Sequence, residues 1–178
     1  MVTLQKLSLI SNHKKFPEKD VLMISEKKYL ESEKMQEEDL AREELKRIDH
    51  LIFVTLKYTR TVDIIRTIIG KLILTLDHQT AKYYSILLEK EKIKEIPPVP
   101  LMRMKNLEHI YPKDNKIKDI IDFYVQLKAI FNADFKAKEE YRKNVTLVTK
   151  GKEINIPMLK EYADTTKDYT LYIDALIK

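Results

Sequence analysis

Between Ile48 and Leu76 apolar side chains recur at steps of three and four: Ile48, Leu51, Ile52, Thr55, Tyr58, Val62, Ile65, Ile69, Leu72, Ile73 and Leu76. Such steps line up on one side of a 3.6-residue helix, whereas a strand needs alternation by two. The stretch is rich in β-branched residues, yet alternation by two is never sustained, so the spacing predicts a helical rod with one apolar flank that needs a companion to cover it. Lys57, Arg60, Asp63 and Lys71 fall off that flank. Together with Arg66 they interrupt the run too often for a membrane span.

Beyond Leu76 the polar residues Asp77, His78, Gln79 and Thr80 predict a change of direction, after which Tyr83, Ile86, Leu87 and Ile93 resume helical spacing. Pro97, Pro98 and Pro100 stop any helix, because proline lacks the donor and restricts the residue before it. A connector of about 15 residues follows, long enough to be a candidate for function. Asp114 can cap the next helix, whose inner face would be Ile117, Ile120, Ile121, Tyr124, Leu127, Ile130 and Phe131. Around Gly151 the period drops to two, predicting a small β-hairpin near residues 145–156. After Pro157 helical spacing returns with Leu159, Tyr162, Tyr169, Ile173 and Leu176.

Upstream of the rod, residues 18–49 carry 11 Asp/Glu against 7 Lys/Arg, a local −4 that leaves +9 on the rest of a chain of net charge +5. Good helix formers with sparse apolar residues at Leu30, Met35, Leu40 and Leu45 predict a solvated helix resting a narrow seam on a neighbour. Residues 1–17 hold no sustained period and read as an irregular arm. The expected architecture is all-α: an N-terminal arm at 1–17, then one domain over 18–178 made of long amphipathic helices and the small hairpin, with a candidate sub-boundary at 96–113.

Several function classes drop out. Two glycines, Gly70 and Gly151, cannot build a phosphate-cradling loop or a nucleophile elbow. Without cysteine there is no disulfide scaffold, thiolate chemistry or thiolate-bound metal, which suits a reducing compartment, and the first residues carry no secretory pattern; the cytoplasm is the expected location. The residues three before His50, His78 and His109 are Arg47, Thr75 and Asn106, so the Glu-x-x-His pairs of di-iron bundles are missing. In Asp49-His50 and Asp77-His78 adjacent side chains diverge on a helix, so these dyads read as surface pairs or helix-end residues. No metal or other cofactor is expected.

The connector and its flanks are basic, with Lys94, Lys105, Lys113 and Lys116 among them. Grouped on one surface they would attract phosphate; interleaved with acids they would be an ordinary solvated face. Within the connector, Arg103-Met104-Lys105-Asn106-Leu107-Glu108-His109-Ile110-Tyr111 resembles the motif of HEPN-domain proteins, an arginine followed by four to six residues and a histidine. That family consists of small, often dimeric helical bundles, many of them RNA-cleaving. The resemblance implies that Arg103 clamps phosphate and His109 transfers or orients a proton at the ribose 2′-hydroxyl, with no metal. On this reading Lys94, Lys105, Asn106, Tyr111, Lys113 and Lys116 would bind the nucleic acid.

Two readings of function therefore stand. One is a non-enzymatic helical module that works by assembly, most simply as a homodimer, because long apolar stripes often complete their burial across a symmetric interface. The other is a HEPN-like metal-independent endoribonuclease or RNA binder.

Overall fold

The computed structural model describes residues 40–177. The expectations for the arm at 1–17, and for the acidic stretch up to residue 39 with Leu30 and Met35, lie outside these. The described residues form five helices and a three-stranded antiparallel sheet. Helix α1 runs through residues 40–58 and includes a π-helical segment, Leu51–Thr55. Then come α2 (Val62–Glu89), α3 (Pro100–Ile110), α4 (Asn115–Asn132), strands β1 (Phe135–Lys138), β2 (Thr146–Thr149) and β3 (Glu153–Asn155), and α5 (Ile156–Ile177). The mostly helical reading with a small hairpin is thus correct. Among the described residues no helix is long and apolar enough to cross a membrane.

Helix α2 is the axis of the fold and packs against α1, α3, α4, α5 and β2. Ile65, Ile69, Leu72 and Leu76 are fully buried, as the spacing required, and so is Ile68, which lies outside the expected stripe. One rod from Ile48 to Leu76 was expected, but the helix breaks at 59–61, where Thr59 and Thr61 are extended. Upstream, the N–H of Leu56 reaches the carbonyl of Leu51, five residues back. That wider turn retards the phase of the apolar flank, so Leu56 takes the core position and Tyr58, expected inside, lies exposed. The break is clamped from far along the chain. The Tyr141 N–H donates to the Arg60 carbonyl at 2.7 Å, and Glu140 Oε1 accepts from the Val62 N–H at 3.1 Å.

A change of direction at Asp77–Thr80 does not occur, and α2 continues unbroken to Glu89. Its polar residues are instead satisfied by neighbours. Thr80 Oγ1 bonds back to the Leu76 carbonyl, Gln79 and Lys82 both donate to Asp174 on α5, and Tyr124 on α4 donates to Asp77. Each replaces water with a protein partner, so burial costs little.

The connector expected after the prolines is largely the helix α3, with Pro100 in its first turn, where a missing N–H does no harm. Met104 and Leu107 carry α3 into the same buried cluster as α2. Asp114 caps α4, accepting from the N–H groups of Lys116 and Ile117. The expected inner face of α4 is buried from Ile117 to Ile130, with Phe131 partly buried at its end. The hairpin is β2–β3, paired from Thr146↔Asn155 to Val148↔Glu153. A further strand, β1, whose Phe-Lys-Ala-Lys alternation is too short to mark a strand, pairs with β2 from Phe135↔Thr149 to Lys138↔Thr146. Helix α5 starts one residue before Pro157, and Asn155 Oδ1 accepts from the Met158 N–H at that end.

The clamp at the helix break predicts a specific loss. Glu140→Ala should lower unfolding free energy by about 1 kcal/mol, as removal of a helix N-cap does, while Glu140→Gln should lose less. Urea denaturation of the three proteins measures this, and an unchanged Glu140→Ala midpoint would show that the bond contributes nothing.

Candidate functional site

Helix α3 carries both residues of the Arg–His pair. Its inward ridge is Met104 and Leu107. Arg103, on the flank, is half-buried: its Nη1 donates to the Pro97 carbonyl at 3.1 Å, and its own carbonyl accepts from the Tyr84 hydroxyl at 3.0 Å. The Arg103 Nε is buried without a hydrogen-bond partner. His109 is exposed. Six residues along a helix separate the two by about 9 Å of rise and about 120° of rotation, so within one chain they face different surroundings.

The residues expected to bind nucleic acid divide similarly. Lys94, Lys105 and Lys113 are exposed and Asn106 is half-buried. Tyr111 accepts from the Tyr83 hydroxyl at 3.0 Å, and the Lys116 ammonium lies 4.9 Å above the Tyr169 ring. Tyr111, Lys113 and Lys116 line an open groove of about 640 Å³ at the α3–α4 turn, together with Ile110, Pro112, Asp114 and Asn115. The carboxylate of that groove is already engaged, because Asp114 caps α4 and its Oδ2 accepts from Tyr172 at 2.6 Å.

Behind α3 lies a polar seam that the sequence reading did not assemble. The Tyr124 hydroxyl donates to Asp77 Oδ1 at 2.5 Å, and the Lys128 ammonium lies 3.9 Å from Asp77 Oδ2. Burial raises the Asp77 carboxyl above its ordinary range; the Tyr124 bond and the charges of Lys128, Arg103 and His78 oppose that shift without cancelling it. Burial pushes the Tyr84 hydroxyl up to about 12, partly offset by Arg103. Tyr83 and Tyr124 are raised further, by burial and by their hydrogen bonds to Tyr111 and Asp77. These hydroxyls stay protonated near neutrality and serve as donors and acceptors, unsuited to act as bases or nucleophiles. Two signals could have located the seam: a tyrosine on the inner face of α4, and four polar residues inside an apolar helix.

A second concavity of about 360 Å³ lies beside α2, lined by Asp63, Arg66, Thr67, Gly70, Lys71, Leu74 and Phe131. The Arg66 guanidinium sits 4.8 Å from the Phe131 ring centre and 5.2 Å from that of Phe135, and its Nη2 donates to the Phe131 carbonyl. A Cβ at Gly70 would stand 3.0 Å from the Phe131 ring, so this glycine permits a close approach. Lys71 binds Glu44 Oε2 at 2.8 Å, and Arg47 pairs with the other oxygen. Burial opposes the Glu44 charge, but Lys71 and Arg47 outweigh it and hold the carboxyl below its ordinary value.

Of the two dyads, Asp49 pairs with Lys167 at 2.9 Å while His50 is exposed, as a surface reading requires. Asp77 is neither a surface pair nor a helix end, since its partner is Tyr124 and α2 runs through it. Among the described residues no three His, Cys, Asp or Glu side chains come together as a metal site. No protein-family model, curated protein or solved structure matches the chain.

Asp77 yields a pH prediction. An acid whose native pKa exceeds its unfolded value contributes stability below the unfolded pKa and loses it as pH rises through the native one. Asp77→Asn keeps an acceptor for Tyr124 without the buried charge. It should raise the urea midpoint at pH 7, and the gain should vanish on acidification below the ordinary carboxylate range. A variant less stable than wild type at pH 7 would contradict this assignment.

Proposed function

We propose that this chain is a non-enzymatic helical interaction module that assembles with a second copy of itself through the outward side of α3. One observation carries the reading. Of the thirteen large apolar side chains exposed among the described residues, four (Val99, Leu101, Met102 and Ile110) fall within residues 99–110, and Met102 is 51% exposed. Val125, on the adjoining α4, is exposed as well. An apolar surface in water costs about 25 cal/mol per Å², which pairing with an identical surface recovers. A two-fold axis closes such a contact after two copies, whereas a head-to-tail contact must form a ring or keep growing. A stable dimer needs about 1,000 Å² buried in total, so α3 would draw in its neighbours at the α3–α4 turn. The cysteine-free composition supports a reducing compartment such as the cytoplasm.

The wild type should therefore elute as a dimer at high micromolar concentration in size exclusion with light scattering. Met102→Lys should elute as a monomer with unchanged helical circular dichroism. A monomeric wild type removes the reading.

A second reading is favoured by the position of His109. It lies seven residues, almost two full turns, after Met102, so the two share one ridge of α3 and pairing there would set a histidine of each copy at the seam. The HEPN resemblance would make that seam a metal-independent RNA-cleaving site, with Arg103 released from the Pro97 carbonyl to reach phosphate. Cleavage of single-stranded or structured RNA in EDTA, abolished by Arg103→Ala and by His109→Ala, is the expected result. Intact RNA after prolonged incubation removes this second reading.

A further inference from the structure

Three departures from regular structure meet at one place. Helix α1 widens into a π-turn at Leu51–Thr55, the chain leaves helical geometry at 59–61, and the loop that clamps this break holds Glu139 and Tyr141 at φ 55° and 64°. Positive φ in a bulky aromatic residue is strained, and such strain marks places where something besides packing is served. The clamp needs only the backbone N–H of Tyr141 and the side chain of Glu140. Asparagine would adopt the same turn and make the same bond with less strain. The Tyr141 ring adds little to the core, since the residue is 75% exposed. Tyr58, two residues before the carbonyl that Tyr141 binds, is 78% exposed. Two tyrosine rings in water thus project from backbones tied together by a 2.7 Å hydrogen bond.

Among the described residues, the cations around them have no acid partners. Lys57, Arg60, Arg142 and Lys143 form no ion pair among the described residues, and the Lys57 ammonium lies 5.8 Å from the Tyr58 ring centre. Of the acids that neighbour them in sequence, Glu140 is committed to the Val62 N–H, which leaves Glu139 and Asp63 against the four cations. Phe53, also on α1, is exposed as well, with Lys160 5.3 Å from its ring centre. Exposed rings on a fixed backbone, interleaved with unpaired cations, match the chemistry of a single strand, whose bases offer flat faces and whose phosphates offer charge. A neutral protein surface would use the rings but would leave this excess of positive charge unanswered.

We propose that Tyr58 and Tyr141, flanked by Lys57, Arg60, Arg142 and Lys143, form a stacking site for single-stranded nucleic acid. It is separate from α3 and independent of the assembly proposed above. The rings take bases without sequence preference, and the cations follow the backbone.

Fluorescence anisotropy of labelled oligouridine and oligothymidine, titrated with the full chain at several salt concentrations, tests this. Both strands should bind at low salt. Tyr58→Ala and Tyr141→Ala should each weaken binding about ten-fold, while Tyr58→Phe and Tyr141→Phe retain it. Tyr141→Asn keeps the backbone turn and removes the ring, so it should match Tyr141→Ala. Arg60→Gln and Arg142→Gln should each reduce the slope of log affinity against log salt by about 0.7, the value for one phosphate contact to a single strand. Absence of binding to either strand overturns the proposal, as does wild-type affinity in the Tyr58→Ala and Tyr141→Asn proteins. If the tyrosine variants instead turn a dimer into a monomer while neither strand binds, the face is a protein contact and the proposal fails.

Discussion

Everything else among the described residues is arranged around the burial of one long helix on several sides at once. Half of the residues of α2 are buried, and they include Thr75, Gln79, Thr80 and Lys82 as well as the isoleucines and leucines. A helix so enclosed must find partners for most of its polar groups, because a lost bond inside costs more than the same bond contributes at the surface; the Arg66 Nε is buried without one. Asp174 from α5 and Tyr124 from α4 therefore do more than decorate the interior. They fix how those helices are turned about α2, since each must present one polar atom at one height.

The same requirement explains the interruption between α1 and α2. Leaving helical geometry at 59–61 frees backbone groups, and the loop after β1 returns to take two of them, through Tyr141 and Glu140. The small sheet is what brings that loop back. β2 lies on α2, and β1 pairs with β2, so the segment 139–145 between them must cross the start of α2. The break is thus a designed junction of helix, turn and sheet, and its outer side is where the exposed aromatic and basic residues accumulate.

Legibility in the sequence followed the range of the interactions. The flank Ile65–Leu76, the Asp114 cap and the β2–β3 hairpin rest on residues a few positions apart, and all three were readable. Tyr58 was misplaced because a π-turn changes the period without any composition signal. Residues 77–80 looked like a turn because polarity inside an apolar run is ambiguous until a partner is known. Arg103 and His109 were singled out by spacing, yet on a helix that spacing sends the two heads in different directions.

From the sequence alone came the helical class, the main stripes, and the exclusion of chemistry that needs glycine loops or cysteine, because periodicity and composition are properties of short windows. Only the tertiary structure decided that α2 runs unbroken past residue 80, that the chain breaks at 59–61, and that Asp77 faces a tyrosine. Those outcomes depend on hydrogen bonds between residues 47 to 95 positions apart, Asp77 to Tyr124, Val62 to Glu140 and Gln79 to Asp174. Such bonds have no local pattern to read, since the partner that removes the cost of a buried polar group is chosen by packing.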